Sequence, residues 1–597
     1  MFKKYGVVSC YLAIAAVWVL WCVLFLAKGI DLADEGLYCT EVWRFAQGDL
    51  PFRDSGAFTG LSFWYLSWIF YLYPQCPLLG LRIVWAVATL LCALLTARAM
   101  FKYFNPPVTT VGAIIGLLFT TYWGLKVLSY NNIYILTLLL ALWLWLTALS
   151  QSGKIRFAMA GASGIMAFVA TSSRITLLPI VLLPAVTLMY DYLCAVKPDK
   201  KWTISVLYLS GYIVGAFVAF LLMLNWGVLG DLMSSLSYSS AIAEHGISAM
   251  AKNFLLSLAF YFLPSLVLII LLLALRYRQV IKRSKIYMGL IFLGLVVLVG
   301  ILVFIAVSWS SQRTLFNVSI DTIKRILGNP QLLYFGLIPL LLAFAIAVIV
   351  ADLLAHMRRS DTGSQVVSHD RYRMGIVAVF LCAMVILGTN NIPAATIAEI
   401  AYIPLAMAAC ILWGWLAGES EPRSRKGPRR RLVLATFALI AVVCVAVGLG
   451  PAFRPYGDND FARLTQTPAT PKTNCMYTTP ERAVLLEKVI ATIQANSKAG
   501  DRILAYDAIS MLYYLSDRLP ATNRSYISWA DSPSNRQSIL DDMLYRNRLP
   551  AVVIRAANST GSFPQADDPF DQYLIRHYRQ IDDSSGFIVM VPAVQGK

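Results

Sequence analysis

The sequence predicts a polytopic α-helical membrane protein that ends in a small extracytoplasmic α/β domain. The first observation is composition: 58% of the 597 residues are hydrophobic, 14% are charged, and the mean hydropathy is +0.65. The core of a soluble protein cannot bury so large an apolar fraction. The second observation is that long apolar runs stop near residue 449, after which helical and strand patterns alternate. We therefore expect a membrane domain at 1–449 and a soluble domain at 450–597.

One helix needs about 20 apolar residues to cross the hydrocarbon layer, which is ~30 Å thick, and the chain has about thirteen such runs. They lie roughly at 6–27, 80–100, 108–127, 131–149, 157–172, 175–194, 203–225, 254–275, 286–308, 332–352, 374–388, 399–417 and 432–449. The first run lacks a small-residue cleavage site near Lys28, which favours a retained helix over a removed signal peptide.

Positive charge is concentrated in every second connection between the predicted spans, from Lys3 and Lys4 to the basic run at 423–431. By the positive-inside rule these connections face the cytoplasm. The net charge of +18 therefore reflects topology and argues against nucleic-acid binding. The sequence thus predicts an inner (plasma) membrane protein with a cytoplasmic amino terminus and an extracytoplasmic, periplasmic tail at 450–597.

Most of the ten cysteines fall inside predicted spans, where a thiol behaves as a small apolar group. Cys39, Cys76 and Cys475 would meet an oxidising exterior. A Cys39–Cys76 bridge that closes the first outer loop is one arrangement that the spacing leaves open. No spacing resembles a zinc site, and the four histidines are scattered. A divalent metal is not indicated, although the sequence does not exclude one.

The first outer loop, residues 28–79, is the candidate active site. It places acids and arginines directly after an apolar span, where a charge without water or a partner is costly. Its interior, residues 58–73, is rich in aromatic side chains. That composition is typical of helices that lie along the membrane interface rather than of another crossing.

Helical periodicity places the acids that follow the first span. If residues 33–46 form a helix, one face carries Asp34, Tyr38 and Glu41. Glu35 then points about a quarter-turn away. A carboxylate on that face lies at the membrane surface, where it can take a proton from an acceptor hydroxyl. The alternative is that the acids only begin an interfacial helix, whose first turn favours negative charge.

The tail starts its regular structure with a predicted helix, because Thr479 is a good cap and Pro480 suits the first helical position. Short apolar runs that predict buried strands follow at 503–506, 551–554 and 587–591. The tail is interpreted as a lid or packing module. The alternative is that it binds an acceptor glycan, with Tyr513, Tyr514 and Trp529 as stacking platforms.

The first outer loop resembles that of the GT-C superfamily of polyprenyl-phosphate-sugar-dependent glycosyltransferases, and most of all the protein O-mannosyltransferase and aminoarabinose transferase type. The similar features are the Asp34-Glu35 pair outside the first span, Tyr38 three residues later, GDLPFRD at 48–54, an aromatic stretch, and Leu81-Arg82-Ile83 at the next span. The motif covers residues 28–105, and the layout of spans with an outward tail is similar over the whole chain. The tail phrase AGDRILA at 499–505, followed by Tyr513-Tyr514-Leu515, is similar too.

The resemblance implies an inverting transfer of a hexose or pentose from a polyprenyl-phosphate donor to an envelope acceptor at the outer face. Asp34 matches the catalytic acidic residue of the family and is expected to act as general base, with Glu35 supporting or orienting it. No cofactor is required. The expected partners are the lipid-linked donor, membrane lipids, and an acceptor that is a glycan, a lipid or a protein; oligomeric state stays open.

The resemblance also implies that basic side chains hold the departing phosphate, because negative charge builds up there. The candidates are Arg53, Arg82, Lys126, Arg174, Arg313, Lys324 and Arg325. Expected substrate contacts are Tyr38, Glu41, Asp54, Asn131, Asn132 and Asn390. Arg174 stands out because it lies between two apolar spans; the alternative is an interfacial arginine that reaches into lipid head groups.

Two phrases depart from the family pattern. Several members carry Lys-Pro-Pro in the first loop, whereas this chain has Phe58-Thr59-Gly60-Leu61, so that phosphate contact must come from elsewhere. Some place a second acid after the third span, where this chain has Asn131-Asn132. An asparagine can orient a sugar hydroxyl but cannot act as a base. The expected mechanism then rests on one loop.

Two other functions stay open: a transporter or flippase of lipid-linked sugars, and a non-catalytic envelope assembly scaffold in which the tail is the working part. Transporters commonly place coupling acids or broken helices at mid-membrane. In this sequence nearly all charge lies at the ends of spans. That distribution counts against transport.

Overall fold

The computed structural model describes residues 2–56, 60–71, 75–101, 104, 106–121, 126–193, 201–241, 348–350, 369–386, 403, 407–408, 410–411, 458, 461–527, 533–556, 568–582 and 586–593. The predicted spans at 254–275, 286–308 and 432–449, and most of those at 332–352 and 399–417, lie outside these residues. So do Arg313, Lys324, Arg325, Asn390 and Trp529.

The membrane part is helical. Its helices are α1 Phe2–Phe25, α2 Asp34–Ala46, α3 Gly60–Leu66, α4 Pro77–Phe101, α5 Pro106–Phe119, α6 Tyr130–Ser150, α7 Ile155–Ser173, α8 Leu183–Leu193, α9 Lys201–Asn225, α10 Leu229–Ala241 and α11 His369–Ile386. Among the described residues, six segments are long and apolar enough to cross a membrane: Gly6–Phe25, Pro77–Phe101, Asn132–Ser150, Ile155–Ser173, Ile175–Tyr192 and Trp202–Asn225. They coincide with predicted spans, whereas α5 is shorter than the predicted run at 108–127. The protein is therefore an integral membrane protein, and the total of about thirteen spans stays a prediction.

A break in the helical structure follows α7. Arg174 takes an extended conformation (φ −151°, ψ 102°), and a 3₁₀ helix then runs over Ile175–Leu182. Pro179 lies inside this 3₁₀ helix and has no N–H to donate to a regular helix. α7 packs closely on α9, because a methyl group at Gly164 would overlap the Tyr208 carbonyl. The break places Arg174 at the end of a span rather than inside one.

The aromatic part of the first outer loop forms α3 and a 3₁₀ helix at Ser67–Tyr71. With seven residues at about 1.5 Å and five at about 2.0 Å, the two helices span about 20 Å, which is too short to cross ~30 Å of hydrocarbon. This length excludes another crossing, as the aromatic composition predicted. The rings of Tyr38 and Phe63 lie 5.8 Å apart and join α2 to α3.

The tail contains a five-stranded mixed sheet with the strand order β2-β1-β3-β5-β4. The strands are β1 Arg502–Tyr506, β2 Leu519–Pro520, β3 Val552–Ala556, β4 Tyr578–Asp582 and β5 Phe587–Pro592, and the helices are α12 Pro480–Ala495, α13 Met511–Ser516, α14 Pro533–Tyr545 and α15 Pro569–His577, with a 3₁₀ turn at Phe461–Arg463. β2, β1 and β3 are parallel, and β5 pairs antiparallel with β3 and β4. The predicted helix after Thr479 and the three predicted strands are confirmed. The domain boundary at 450 stays a prediction.

The tail docks directly on the first outer loop. The Met511 N–H of α13 donates to the Leu32 carbonyl at 3.0 Å, and the Thr40 hydroxyl of α2 donates to the Ser510 carbonyl at 2.8 Å. α2 and α13 approach so closely that a methyl group at Gly36 would overlap the Met511 backbone. The buried apolar residues of α2 and α13 belong to one continuous core.

A disulfide joins Cys76, just before α4, to Cys475 in the tail, with their Cα atoms 6.4 Å apart. The Cys39–Cys76 arrangement is therefore wrong. Cys39 is a free thiol that is completely buried on α2. Burial holds the pKa of this thiol well above its usual value.

Candidate functional site

α2 begins at Asp34, within one residue of the predicted start, with Ala33 at the N-cap position, and Asp31 holds this start in place. The Asp31 carboxylate accepts the backbone N–H of Ala33 at 3.0 Å and that of Glu35 at 2.7 Å. N–H groups in the first turn of a helix otherwise lack partners. The Glu35 carboxylate accepts the Asp31 N–H at 3.3 Å, so the two acids cap each other's backbone.

Glu35 forms a buried, bidentate ion pair with Arg82 of α4. The Nε–Oε1 distance is 2.6 Å and the Nη2–Oε2 distance is 2.7 Å. The guanidinium also donates to the carbonyls of Leu26, Lys28 and Gly29, at 2.6, 3.3 and 2.7 Å. Glu35 therefore ties the start of α2 to the membrane helices. This geometry agrees with an orienting role, which stays a prediction.

Lys126, which lies just before α6 in the chain, supports the same segment. Its Nζ donates to the carbonyls of Phe25 and Lys28 at 2.7 and 2.6 Å. Burial, and then the charge of Arg82, hold the pKa of this ammonium well below its usual value. Arg82 and Lys126 thus satisfy carbonyls at the end of α1 and concentrate positive charge behind the acidic turn. Both expected phosphate ligands already support the backbone of the loop.

Asp34 occupies the first position of α2 and is half-buried. Asp31 and Glu35 on either side are more enclosed, with 5% and 2% exposure. Tyr38, one turn further along, is buried. Of these acids Asp34 therefore keeps the most access to a substrate, while the backbone around it is fixed.

Glu41 lies in a closed joint between the loop and the tail. Its carboxylate accepts hydrogen bonds from Ser55 of the loop and from Ser525 of the tail, and it pairs with Arg44 at 3.3 Å. Glu41 is 1% exposed, and burial raises its pKa. Its expected contact with a substrate would require this joint to open.

The phrase GDLPFRD folds around Arg44, which is completely buried. Arg44 pairs with Asp49 at 2.8 Å and donates to the Asp54 carbonyl. The Asp54 carboxylate accepts the Leu50 N–H at 3.0 Å and pairs with Arg548 of the tail at 2.7 Å. Burial alone would raise the pKa of Asp54, but these two contacts lower it. The phrase is thus a structural unit that anchors the tail, and sequence reasoning missed its centre, Arg44.

Arg174 lies half-buried at the break after α7. Its Nη1 donates to the Tyr134 hydroxyl at 3.0 Å, its Nε donates to the Thr176 hydroxyl at 3.1 Å, and its guanidinium lies 5.1 Å from the centre of the Tyr134 ring. Tyr65 of α3 hydrogen-bonds Ser172, two residues before Arg174. Because α3 also contacts α2, the same short helix links the helix of the acidic turn to this break.

Three other residues that were expected to contact the donor or the substrate support the fold in this structure. Asn132 accepts the N–H and the hydroxyl of Ser129 at 3.0 and 2.9 Å, so it caps the start of α6, and Asn131 lies in the same turn. Arg53 joins the loop to the connection between α9 and α10 and pairs with Asp231 at 3.4 Å. Their contacts with substrates stay predictions.

The stacking role of the two adjacent tail tyrosines is wrong, because Tyr513 is 0% and Tyr514 is 1% exposed. The Tyr513 hydroxyl donates to the Ala505 carbonyl at 3.1 Å and accepts the Ala505 N–H at 2.9 Å. Tyr514 packs edge-on against Trp43 and Phe70 of the loop. Both rings hold the tail together or hold it to the loop.

Sequence reasoning also missed Asp31, an acid two residues before the predicted helix start, although an acid close to a helix start can accept the N–H groups of the first turn. Within the described part of the chain, no group of three or more His, Cys, Asp and Glu side chains is arranged to hold a metal ion. The site is therefore built from carboxylates, arginines and one lysine around the first turn of α2.

Two solved structures are similar to this chain. The oligosaccharyltransferase AglB from Archaeoglobus fulgidus, in complex with an inhibitory peptide and a dolichol-phosphate, has a TM-score of 0.50 at 11% identity, over 100% of this chain and 75% of that chain. ArnT from Cupriavidus metallidurans, bound to undecaprenyl phosphate, has a TM-score of 0.49 at 13% identity, over 98% of each chain. No family model matches the chain, and no curated protein matches it in sequence. The likeness to AglB, at this low identity, shows that the two proteins share a fold.

Proposed function

We propose that the protein is a glycosyltransferase that moves a sugar from a polyprenyl-phosphate donor to an envelope acceptor at the outer face of the membrane. The observation that carries the proposal is the position of Asp34, which is half-buried on the first turn of α2, beside the fixed Glu35–Arg82 ion pair. The GT-C fold supports it, because the oligosaccharyltransferase with this fold was solved with dolichol-phosphate.

Asp34 acts as general base in an inverting displacement. The acceptor hydroxyl gives its proton to the Asp34 carboxylate while its oxygen forms a bond to the anomeric carbon. The bond from that carbon to the phosphate oxygen breaks on the opposite side, and polyprenyl phosphate leaves with the electron pair. Glu35 keeps the turn in place rather than exchanging protons, because Arg82 holds both of its oxygens.

Arg174 is the strongest described candidate to bind the departing phosphate. It lies half-buried at the end of a span, where it donates to the hydroxyls of Tyr134 and Thr176. A fixed cation where charge develops stabilises the transition state. Arg82 and Lys126 add to the positive potential while they support the loop.

The basic connections favour a cytoplasmic amino terminus, which puts α2 and the tail outside. The membrane domain, 1–449, then binds the lipid-linked donor from the bilayer. The soluble domain, 450–597, covers the first outer loop on the acceptor side. A glycan, a lipid or a protein hydroxyl fits the chemistry, and the reaction needs no cofactor.

Asp34→Asn tests the proposal in proteoliposomes that contain the purified protein, a polyprenyl-phosphate sugar and a panel of acceptors. We expect transfer to fall about 10²- to 10⁴-fold while polyprenyl phosphate still binds, because an amide cannot take the proton. Asp517→Asn is the control. It removes an outer carboxylate that is 63% exposed and pairs with Lys472 in the tail, so transfer should be unchanged.

Unchanged transfer by the Asp34→Asn protein would rule out the proposed base. Movement of the lipid-linked sugar between leaflets without transfer would favour the transporter instead. Loss of envelope glycan in cells, with neither activity in vesicles, would favour the scaffold.

A further inference from the structure

We infer that Asp31 is a positioning residue for Asp34: it fixes the first turn of α2 and releases that turn when it is protonated. The inference rests on the proposed function of Asp34 as a base. Asp31 is 5% exposed and accepts only backbone N–H groups among its described contacts, so it acts through the helix rather than on the substrate.

The hydrogen bonds of Asp31 bracket the proposed base. The two N–H groups that it accepts belong to Ala33 and Glu35, the residues on either side of Asp34. Fixing both neighbours fixes the backbone of Asp34, and therefore the direction of its side chain. Ala33 occupies the cap position and has no side chain that could replace these bonds.

The backbone next to this cap is held from two sides. On the tail side, the Ile30 N–H donates to Asp458 at 2.9 Å and the Leu32 carbonyl accepts the Met511 N–H at 3.0 Å. On the membrane side, Arg82 binds the carbonyls that precede it. A change in the cap is therefore absorbed by the first turn of α2, where the proposed base lies.

The pKa of Asp31 is raised to about 7, mainly by burial. The two backbone hydrogen bonds lower this pKa, and the nearby carboxylates of Glu35 and Asp34 raise it. The other charged groups around this turn are Arg82 on α4, Lys126 before α6 and Asp458 in the tail. The positive charge of Arg82 is already taken up by Glu35. Asp31 therefore gains a proton near neutral pH, whereas an ordinary aspartate does so near pH ~4.

Protonation of Asp31 weakens an acceptor in the first turn and removes a negative charge close to Asp34. The looser turn misplaces the base by enough to slow the reaction. Loss of the neighbouring charge also makes Asp34 a weaker base. Transfer should therefore fall as the pH drops through about 7, where Asp31 titrates.

Asp31→Asn tests this through the pH dependence of kcat between about pH 5.5 and about pH 8.5. We expect the kcat of the native protein to rise about tenfold across this range, and that of the variant to stay at the low level with an unchanged KM for the donor, because an amide resembles the protonated acid. Asp568→Asn is the control. Asp568 is the N-cap of α15, accepts the N–H of Phe570 at 2.8 Å and of Asp571 at 3.3 Å, also pairs with Arg536, and is 2% exposed.

The Asp568→Asn protein should keep the native pH profile even if its tail is less stable. Hydrogen exchange of residues 33–36 gives a second readout that does not depend on transfer. We expect their protection factor to be about fivefold higher at about pH 8 than at about pH 6 in the native protein, and to be independent of pH in Asp31→Asn. Protection that does not change with pH in the native protein, or an unaltered kcat profile in Asp31→Asn, would overturn the inference. The loss of transfer in Asp34→Asn would still stand in that case.

Discussion

The start of α2 and the end of β1 both bury acids beside an arginine, but they differ in what they leave accessible. In the tail, Arg555 pairs with Asp507 at 2.6 Å, and both side chains are buried. At α2, Arg82 pairs with Glu35 at 2.6 Å, and the adjacent Asp34 stays half-buried. A buried ion pair is therefore common to both regions. Under the proposed function, only the region that places a fixed acid next to a more accessible one is expected to be reactive.

Removing each arginine should have the largest effect and tests the comparison directly. Arg82→Leu removes the cation that pairs with Glu35, and Arg555→Leu removes the cation that pairs with Asp507 and Asp571. Loss of a buried ion pair should lower the free energy of unfolding by about 3–5 kcal/mol in each protein. Thermal unfolding in detergent measures this. Transfer per folded molecule should be lost only with Arg82→Leu. Equal loss of transfer in both proteins would break the distinction between the two clusters.

The disulfide between Cys76 and Cys475 joins the first outer loop to the tail, and its removal tests whether α2 and β1 depend on this link to the same extent. We expect Cys76→Ser to lower the free energy of unfolding by about 2–4 kcal/mol. Hydrogen exchange should speed up more in α2 than in β1, because α2 takes contacts from the tail while β1 is enclosed within it. Cys22→Ser is the control for loss of a thiol, because Cys22 is a free, partly exposed cysteine on α1. Equal exchange in α2 and β1 would contradict this account of the joint.

Gly36 tests how closely α2 and α13 of the tail must approach each other. Gly36→Ala should lower the free energy of unfolding by about 1–3 kcal/mol, because the added methyl group forces α2 away from Met511 of α13. Gly6→Ala is the control, since a methyl group there meets no atom within 4 Å. Denaturant titration of the two proteins measures the difference. No difference between them would show that the joint is looser than the structure indicates.

The ion pair between Asp54 and Arg548 should give the smallest effect. The pKa of Asp54 is lowered in the folded protein, so its stabilisation is present above the ordinary pKa of about 4 and is lost as the pH falls through the lower value. Both side chains are partly exposed, so the contribution should be about 1 kcal/mol or less. In Arg548→Gln, the free energy of unfolding should fall less steeply as the pH drops below about 4, by this amount in total. A stability that rises on acidification through this range would contradict the sign.

Local patterns predicted six of the spans up to residue 225, α2 and three of the five strands of the tail, because each depends on periodicity within one short segment. The environment of Glu41 could not be predicted, because its partner Ser525 lies 484 positions away in the sequence. The same reason hid the Cys76–Cys475 pair, separated by 399 positions, and the burial of Tyr514. Asp31 was open to prediction as a cap, but its burial depends on the distant tail.

The bond from Cys76 to Cys475 closes the chain into a covalent ring that contains every membrane helix from α4 to α11. The ribosome delivers Cys475 only after all of those helices have been made. Until then the Ile30 N–H and the Leu32 carbonyl lack the hydrogen bonds that they form with Asp458 and Met511 of the tail. A chain built in this order completes its acidic turn last, so an unfinished copy in the bilayer lacks the geometry of the finished turn.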